Sequence, residues 1–115
     1  GAAITPEVSK TSAGADALVP IVSVVNISRT MEMLKEYDFW VYGADMSGSP
    51  IHTVNLTGKV ALVLGSEGKG LGPNVRSHCD ELISIPTSGS LDSLNVSVAA
   101  GIFFYEIRRQ QAARK

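Results

Sequence analysis

Cysteine and histidine are nearly missing: Cys79, His52 and His78 are the only ones in 115 residues. A lone thiol cannot close an internal disulfide, and one Cys with two His makes no credible metal-ligand set. No metal is therefore expected, and a reduced, cytoplasmic setting is the natural reading. No apolar run reaches the roughly 18 residues of a membrane span and no signal peptide opens the chain, so neither insertion nor secretion is expected. A basic surplus is lacking too, with 10 Lys and Arg against 11 Asp and Glu for a net charge of −1. Nucleic-acid binders usually carry such a surplus, so an RNA partner would take its main electrostatic grip elsewhere. The opening Gly1-Ala2-Ala3, without a Met, reads as a tag scar, processing or a fragment.

What is present is apolar. A hydrophobic content of 44% fills the core of one domain over residues 1–115, and no repeat or low-complexity run divides it. Thr5-Pro6-Glu7 predicts a helix start, with Thr5 as cap and Pro6 at the first helical position, running to about residue 13 or 17. Residues 19–25 form a β-branched strand, and Asn26 or Ser28 caps a helix over 29–37 with Met31, Met33 and Leu34 inward. Residues 39–42 predict a strand, and the turn-rich stretch 43–58 reads as irregular and superficial. Residues 60–64 are a fully apolar strand leading into a glycine loop at 65–72, after which Pro73 opens a helix through Val75, His78 and Cys79. Leu82, Ile83 and Ile85 make a last strand that Pro86 stops. From Leu94 a long helix shows two apolar faces, one with Leu94, Val98, Ile102 and Tyr105, the other with Val96, Ala99, Phe103 and Ile107. This order predicts a three-layer α/β fold on a mostly parallel sheet.

Two loops carry the chemistry. In open α/β sheets ligands bind beyond the carboxyl ends of strands, where both the glycine loop and the loop 87–93 sit. Four glycines in 65–72 allow backbone amides to approach a ligand, yet a tight turn explains them as well. The P-loop spacing fails because Lys69 is followed by Gly70, and the dinucleotide fingerprint lacks its third glycine. Glu67 caps nothing there, so its carboxylate suits a ligand or a partner subunit. Ser93 reads either as a helix cap or as a ligand group.

The stretches ALVLGSEGKGLG (61–72) and ISIPTSGSLDSLNVSVAAGIFFYEIRRQ (83–110) resemble two motifs of the SpoU-type branch of the SPOUT superfamily, the RNA ribose 2′-O-methyltransferases. VVNISRTMEML (24–34) and KTSAGA (10–15) extend the likeness over nearly the whole chain. The look-alikes are enzymes that methylate a guanosine ribose in large-subunit ribosomal RNA. The resemblance implies a C-terminal deep trefoil knot, S-adenosylmethionine as cofactor and RNA as partner. It implies cofactor binding by the backbone of Gly65, Ile85 and Leu94, with Leu64, Gly68 and Thr87 lining the pocket. Glu67, Ser93 and Asn95 match the polar active-site positions.

The family's first motif, with an Asn and an Arg before a ribose hydroxyl, is absent ahead of Gly1, and so is any separate RNA-binding domain. The chain therefore reads as an N-terminally truncated catalytic domain, inactive alone until that upstream strand is restored. Asn26 and Arg29 have the wrong spacing to replace it, and Arg29, Arg76, Arg108 and Arg109 are read on helices pointing away from the two loops. A homodimer is expected through the C-terminal helix, whose face with Ala99, Ala100, Phe103 and Ile107 exceeds what one sheet covers. The alternatives are a non-catalytic α/β module binding a small ligand or nucleotide, and transfer RNA in place of ribosomal RNA.

Overall fold

The computed structural model describes residues 4–6, 22–24, 26–65, 70–86 and 96–113. Ile4–Pro6 (β1) and Val22–Val24 (β2) pair antiparallel, with Ile4 opposite Val24 and Pro6 opposite Val22. The helix start predicted at Thr5-Pro6 is thus a strand. Proline's fixed φ suits a short edge strand as well as a first helical turn, and pairing with a partner far along the chain decides between them. The remainder of that expected helix, and KTSAGA, lie outside the described residues.

Ile27–Glu36 (α1) starts two residues earlier than the sequence suggests. Asn26 is its cap, its side-chain oxygen accepting from the Arg29 backbone N–H at 3.0 Å. Trp40–Pro50 (β3) is the middle strand of a parallel sheet, between Val60–Val63 (β4) and Glu81–Ser84 (β5). Pro73–His78 (α2) joins β4 to β5, and Val96–Ala113 (α3) closes the described chain. As predicted, Pro73 begins α2, and Pro86 lies just beyond the last rung of β5.

Helices cover both faces of the sheet, giving three layers. On one face Met31 of α1, Val41, Val63 and Leu71 form a core, with Val75, Cys79 and Leu82 packed against it. On the other, Tyr42, Ile51, Val54, Leu56, Ile83 and Phe103 of α3 form a second. The stretch 43–58 is superficial only in part: Met46, Ser47, Ser49 and Pro50 are exposed as its turn residues suggested, while Gly43, Ile51, Val54 and Leu56 are buried. Its glycine at 43 is buried because a Cβ there would meet Cys79 Sγ at 2.5 Å and Leu71 Cδ1 at 2.6 Å, and Ile51, Val54 and Leu56 follow it inward.

The two α3 faces also separate differently from the expectation. Phe103 is 2% exposed and Ala99 and Ile107 pack beside it on this chain's own sheet, whereas Val98, Ile102 and Tyr105 stay exposed. The face first assigned to a partner is the core face, because residues 51–56 turn back under it and supply the apolar cover that the sheet alone lacks.

α3 grips that segment by hydrogen bonds as well. Gln110 accepts from the Leu56 N–H at 2.7 Å and donates to the Val54 carbonyl at 3.0 Å, mimicking one rung of a strand pair. Its amide also donates to Glu106, which receives two bonds from Arg109 at 2.9 and 2.8 Å. These bonds, from Arg109 first and Gln110 next, hold the Glu106 carboxyl down from an ordinary 4.5 to about 2. A carboxyl depressed on folding contributes stability above its unfolded value and loses it as the pH falls toward the folded one. Wild-type protein is therefore expected to lose stability between about pH 5 and pH 2 by up to about 1 kcal/mol more than Glu106→Gln, the figure kept small by solvent screening at this rim. Urea midpoints at pH 6 and pH 3 check it, and equal losses in both proteins would refute it.

Candidate functional site

All three strands of the parallel sheet end at one edge. Gly43 of β3 stands level with Val63 on one side and Leu82 on the other. Leu64 and Gly65 leave the sheet on one flank of β3, and Ile85 and Pro86 leave on the other flank. Leu64 and Ile85 both pack, half-buried, against the core that contains Tyr42 and Phe103, so the two loop roots share the α3 face. Of the residues singled out from the sequence, Leu64, Gly65 and Ile85 are thus brought around one strand end. Glu67, Gly68, Thr87, Ser93, Leu94 and Asn95 lie outside the described residues.

Gly65 explains its own presence. A Cβ built on it would collide with the carbonyl carbon and oxygen of Gly70, so the glycine loop returns onto its own root. Gly70 makes that return at φ +64, a left-handed conformation that glycine adopts at little cost. Gly65 and Gly70 thus stand backbone against backbone beside the end of β4.

Between the two roots the middle strand bulges. Pairing of β3 with β5 breaks after Ala44 opposite Ile83 and resumes at Ser49 opposite the same residue, leaving 45–48 outside the ladder. Gly48 returns the chain so closely that its Cβ would strike the backbone of Leu82 and Ile83, and the Ser84 hydroxyl donates to the Gly48 carbonyl at 2.9 Å. Bulges commonly re-aim side chains beside functional sites. Here the re-aimed group is Asp45.

The Asp45 carboxylate accepts from the Ser47 N–H at 3.0 Å and from the Ser47 hydroxyl. Arg76 of α2 reaches it through Nη1 at 3.3 Å and reaches the Ser47 oxygen through Nη2 at 3.4 Å. Bonds from Ser47, with Arg76 adding to them against the cost of burial, hold the Asp45 carboxyl below the usual carboxylate range. Sequence reading pointed Arg76 away from the loops. It instead turns toward the strand end, because the bulge presents the Asp45 carboxylate to it. The DMSGSP turn cluster held the signal, since an Asp two residues before a Ser forms such local bonds.

The other groups at hand are structural. Burial pushes the Cys79 thiol up. Burial, with Glu81 and Asp80 nearby, does the same to the Tyr42 phenol, which donates to the Asn55 carbonyl at 2.8 Å. Arg109 pairs with Glu106, and Arg29 and Arg108 are exposed on their helices. Among the described residues no group of three His, Cys, Asp or Glu could hold a metal ion, and no helix is long and apolar enough to cross a membrane.

Known proteins resemble this chain in sequence and fold. The model of the SpoU rRNA Methylase family matches residues 1–105. A 23S rRNA (guanosine-2′-O-)-methyltransferase RlmB of Neisseria meningitidis is 45% identical over 114 residues, covering 98% of this chain and 46% of that protein. The RlmB of Escherichia coli K12 is 48% identical over 106 residues, 90% of this chain and 43% of its own length. The chain thus spans less than half of these relatives. Among solved structures, the TrmH/SpoU tRNA modifying enzyme of A. aeolicus matches with a TM-score of 0.70 at 33% identity, over 77% of this chain and 46% of that one. The SpoU methyltransferase AviRb of Streptomyces viridochromogenes, in complex with AdoMet, matches with a TM-score of 0.67 at 30% identity, over 74% and 36%. With the family model spanning residues 1–105 and relatives near half identity, the chain belongs to the SpoU rRNA methylase family.

Proposed function

We propose that this chain is the SpoU-type catalytic domain, residues 1–115, of an enzyme that methylates a ribose 2′-hydroxyl of RNA with S-adenosylmethionine. The acceptor is a guanosine in large-subunit ribosomal RNA. One observation carries the reading: Leu64-Gly65 and Ile85-Pro86 flank a single strand end, with the Gly70 backbone so close that no side chain fits at Gly65. An adenosine and an amino-acid tail suit such a cradle, which offers apolar walls at Leu64 and Ile85 and backbone polar groups between them. The names of the Neisseria and Escherichia relatives, and the AdoMet in the Streptomyces structure, support the same chemistry.

S-adenosylmethionine, when bound, supplies the electrophilic methyl group. The backbone of Gly65, Ile85 and Leu94 holds it, with Leu64, Gly68 and Thr87 lining the pocket. Glu67, Ser93 and Asn95 orient the ribose hydroxyl, since methyl transfer depends mainly on alignment of the acceptor. The C-terminal segments form the deep trefoil knot of the family, and the enzyme works in the cytoplasm.

The full-length protein is expected to transfer tritiated methyl groups to unmethylated 23S rRNA, with 2′-O-methylguanosine in the digest. Label entering transfer RNA alone would replace the substrate. In calorimetry the demethylated product should compete with S-adenosylmethionine while NAD and ATP should not, and competition by either nucleotide would favour a nucleotide-binding module.

The same reading includes a homodimer through the exposed stripe of α3, where Val98, Ile102 and Tyr105 recur at helical spacing and are 51%, 38% and 69% exposed. Ile102→Asp should convert a sedimenting dimer into monomer at micromolar concentration, with its far-ultraviolet spectrum unchanged. A wild-type monomer, or a variant that stays dimeric, would remove this stripe as the interface.

A further inference from the structure

Arg76 stands at the carboxyl edge of the sheet without a role in cofactor binding. Its side chain is 42% exposed, while the Asp45 side chain that holds it is only 11% exposed. A guanidinium carries five N–H donors in a plane. Two bonds, to Asp45 and to the Ser47 oxygen, fix that plane, and among the described residues its other donors have no partner. The cation is also close to the glycine loop: a Cβ on Gly70 would stand 3.6 Å from the Asp45 Oδ1 that Arg76 bonds. An oriented, half-exposed arginine at the rim of a substrate cleft matches the fork of donors that phosphate oxygens take.

The setting sharpens the point. The chain has a net charge of −1, so few sites can meet an RNA backbone. Lys35 pairs with Asp80 and Lys59 donates to the Tyr37 carbonyl at the opposite end of the sheet, where β3 and β4 begin. Arg109 is occupied by Glu106 at the far end of α3. Arg76 is the described cation held against the β3 bulge at this edge, while Arg29 stands exposed on α1, whose Ser28 accepts from Asn74 of α2.

We propose that Arg76 binds a backbone phosphate of the RNA substrate next to the nucleotide being methylated, with Asp45 and Ser47 of the β3 bulge as its positioning residues. The inference rests on the methyltransferase reading above. The phosphate takes the free donors of the guanidinium fork while Asp45 keeps its own oxygen on Nη1. Asp45 also lowers the net charge of the rim, so RNA gains here a directed contact more than long-range attraction.

The full-length enzyme tests this with single-stranded and folded fragments of 23S rRNA. Arg76→Ala should raise KM for RNA about tenfold, leave kcat within about twofold and leave S-adenosylmethionine affinity unchanged. Each phosphate contact on a single strand contributes about 0.7 to the slope of log affinity against log salt, so that slope should fall by about this amount. Arg76→Lys should restore the slope but only part of the affinity, and Asp45→Asn should keep the slope while weakening binding. A merely structural clamp would instead lower thermal stability equally in Arg76→Ala and Asp45→Asn, with the salt slope unmoved, and that result overturns the proposal. Failure of the wild-type enzyme to methylate RNA or bind its cofactor would sink the underlying reading instead.

Discussion

Gly65→Ala is expected to weaken S-adenosylmethionine binding between about 10-fold and 100-fold, because the new methyl group must stand where the Gly70 carbonyl now lies. The obstacle is backbone, which cannot swing aside as the end of a flexible side chain can. The two backbones must part by about an ångström, and displacements of that size in a positioning element can cost about 10²-fold. Overpacking of this kind also costs about 1–3 kcal/mol of stability, so affinity should be measured by calorimetry well below the thermal midpoint. Gly70→Ala supplies the contrast. Its nearest neighbour would be Asp45 Oδ1 at 3.6 Å, an ordinary contact, and its penalty is conformational because φ is +64. That penalty is about 1 kcal/mol, equivalent to a loss of roughly fivefold if it falls entirely on the bound loop. Equal affinities for Gly65→Ala and wild type would mean that Gly65 is not part of the cofactor site.

The residues that proved legible are those whose structure is decided locally. Asn26 caps α1 through its own side chain, Pro73 starts α2 because it needs no N–H there, and Val60–Val63 is apolar enough to read as a buried strand. Leu64, Gly65 and Ile85 stand at strand ends for the same reason, each one or two residues beyond an apolar strand. Distant partners decided what was misread. Thr5 and Pro6 satisfy the rules for a helix start, yet pairing with Ser23 and Val22 makes them a strand. Gly43 and Gly48 look like turn glycines, while their real task is to let the backbone of β3 pass against Leu71, Cys79, Leu82 and Ile83. Arg76 was misdirected for the same reason: the DMSGSP cluster announces a turn at Asp45, but not that a helix 31 residues away supplies its partner. Local chemistry therefore located both loops, and contacts across the sheet supplied the group standing between them.

Phe103→Ala is expected to remove about 3–5 kcal/mol, the range for truncating a buried aromatic, out of a total stability that for a domain of this size is about 5–15 kcal/mol. Phe103 is 2% exposed and lies among Tyr42, Ile51, Val54, Leu56 and Ile83, where the segment 51–56 and the middle of the sheet meet α3. The cavity would open between two elements that Gln110 also ties together through Leu56 and Val54, leaving those bonds to bear the junction. Val98→Ala, on the 51% exposed side of the same helix, should change monomer stability by less than about 0.5 kcal/mol. Urea unfolding followed by circular dichroism at two protein concentrations separates the faces. The Phe103 loss should be the same at both concentrations, because the contact lies within one chain, whereas any loss from Val98 should appear at the higher concentration and shrink as a dimer dilutes to monomer. A concentration-dependent Phe103 effect would return that residue to an interface between chains. Because α3 begins directly after residues 87–95, loosening its core face should also lower cofactor affinity, and one fixed concentration of S-adenosylmethionine should raise the variant's midpoint by less than it raises that of Val98→Ala.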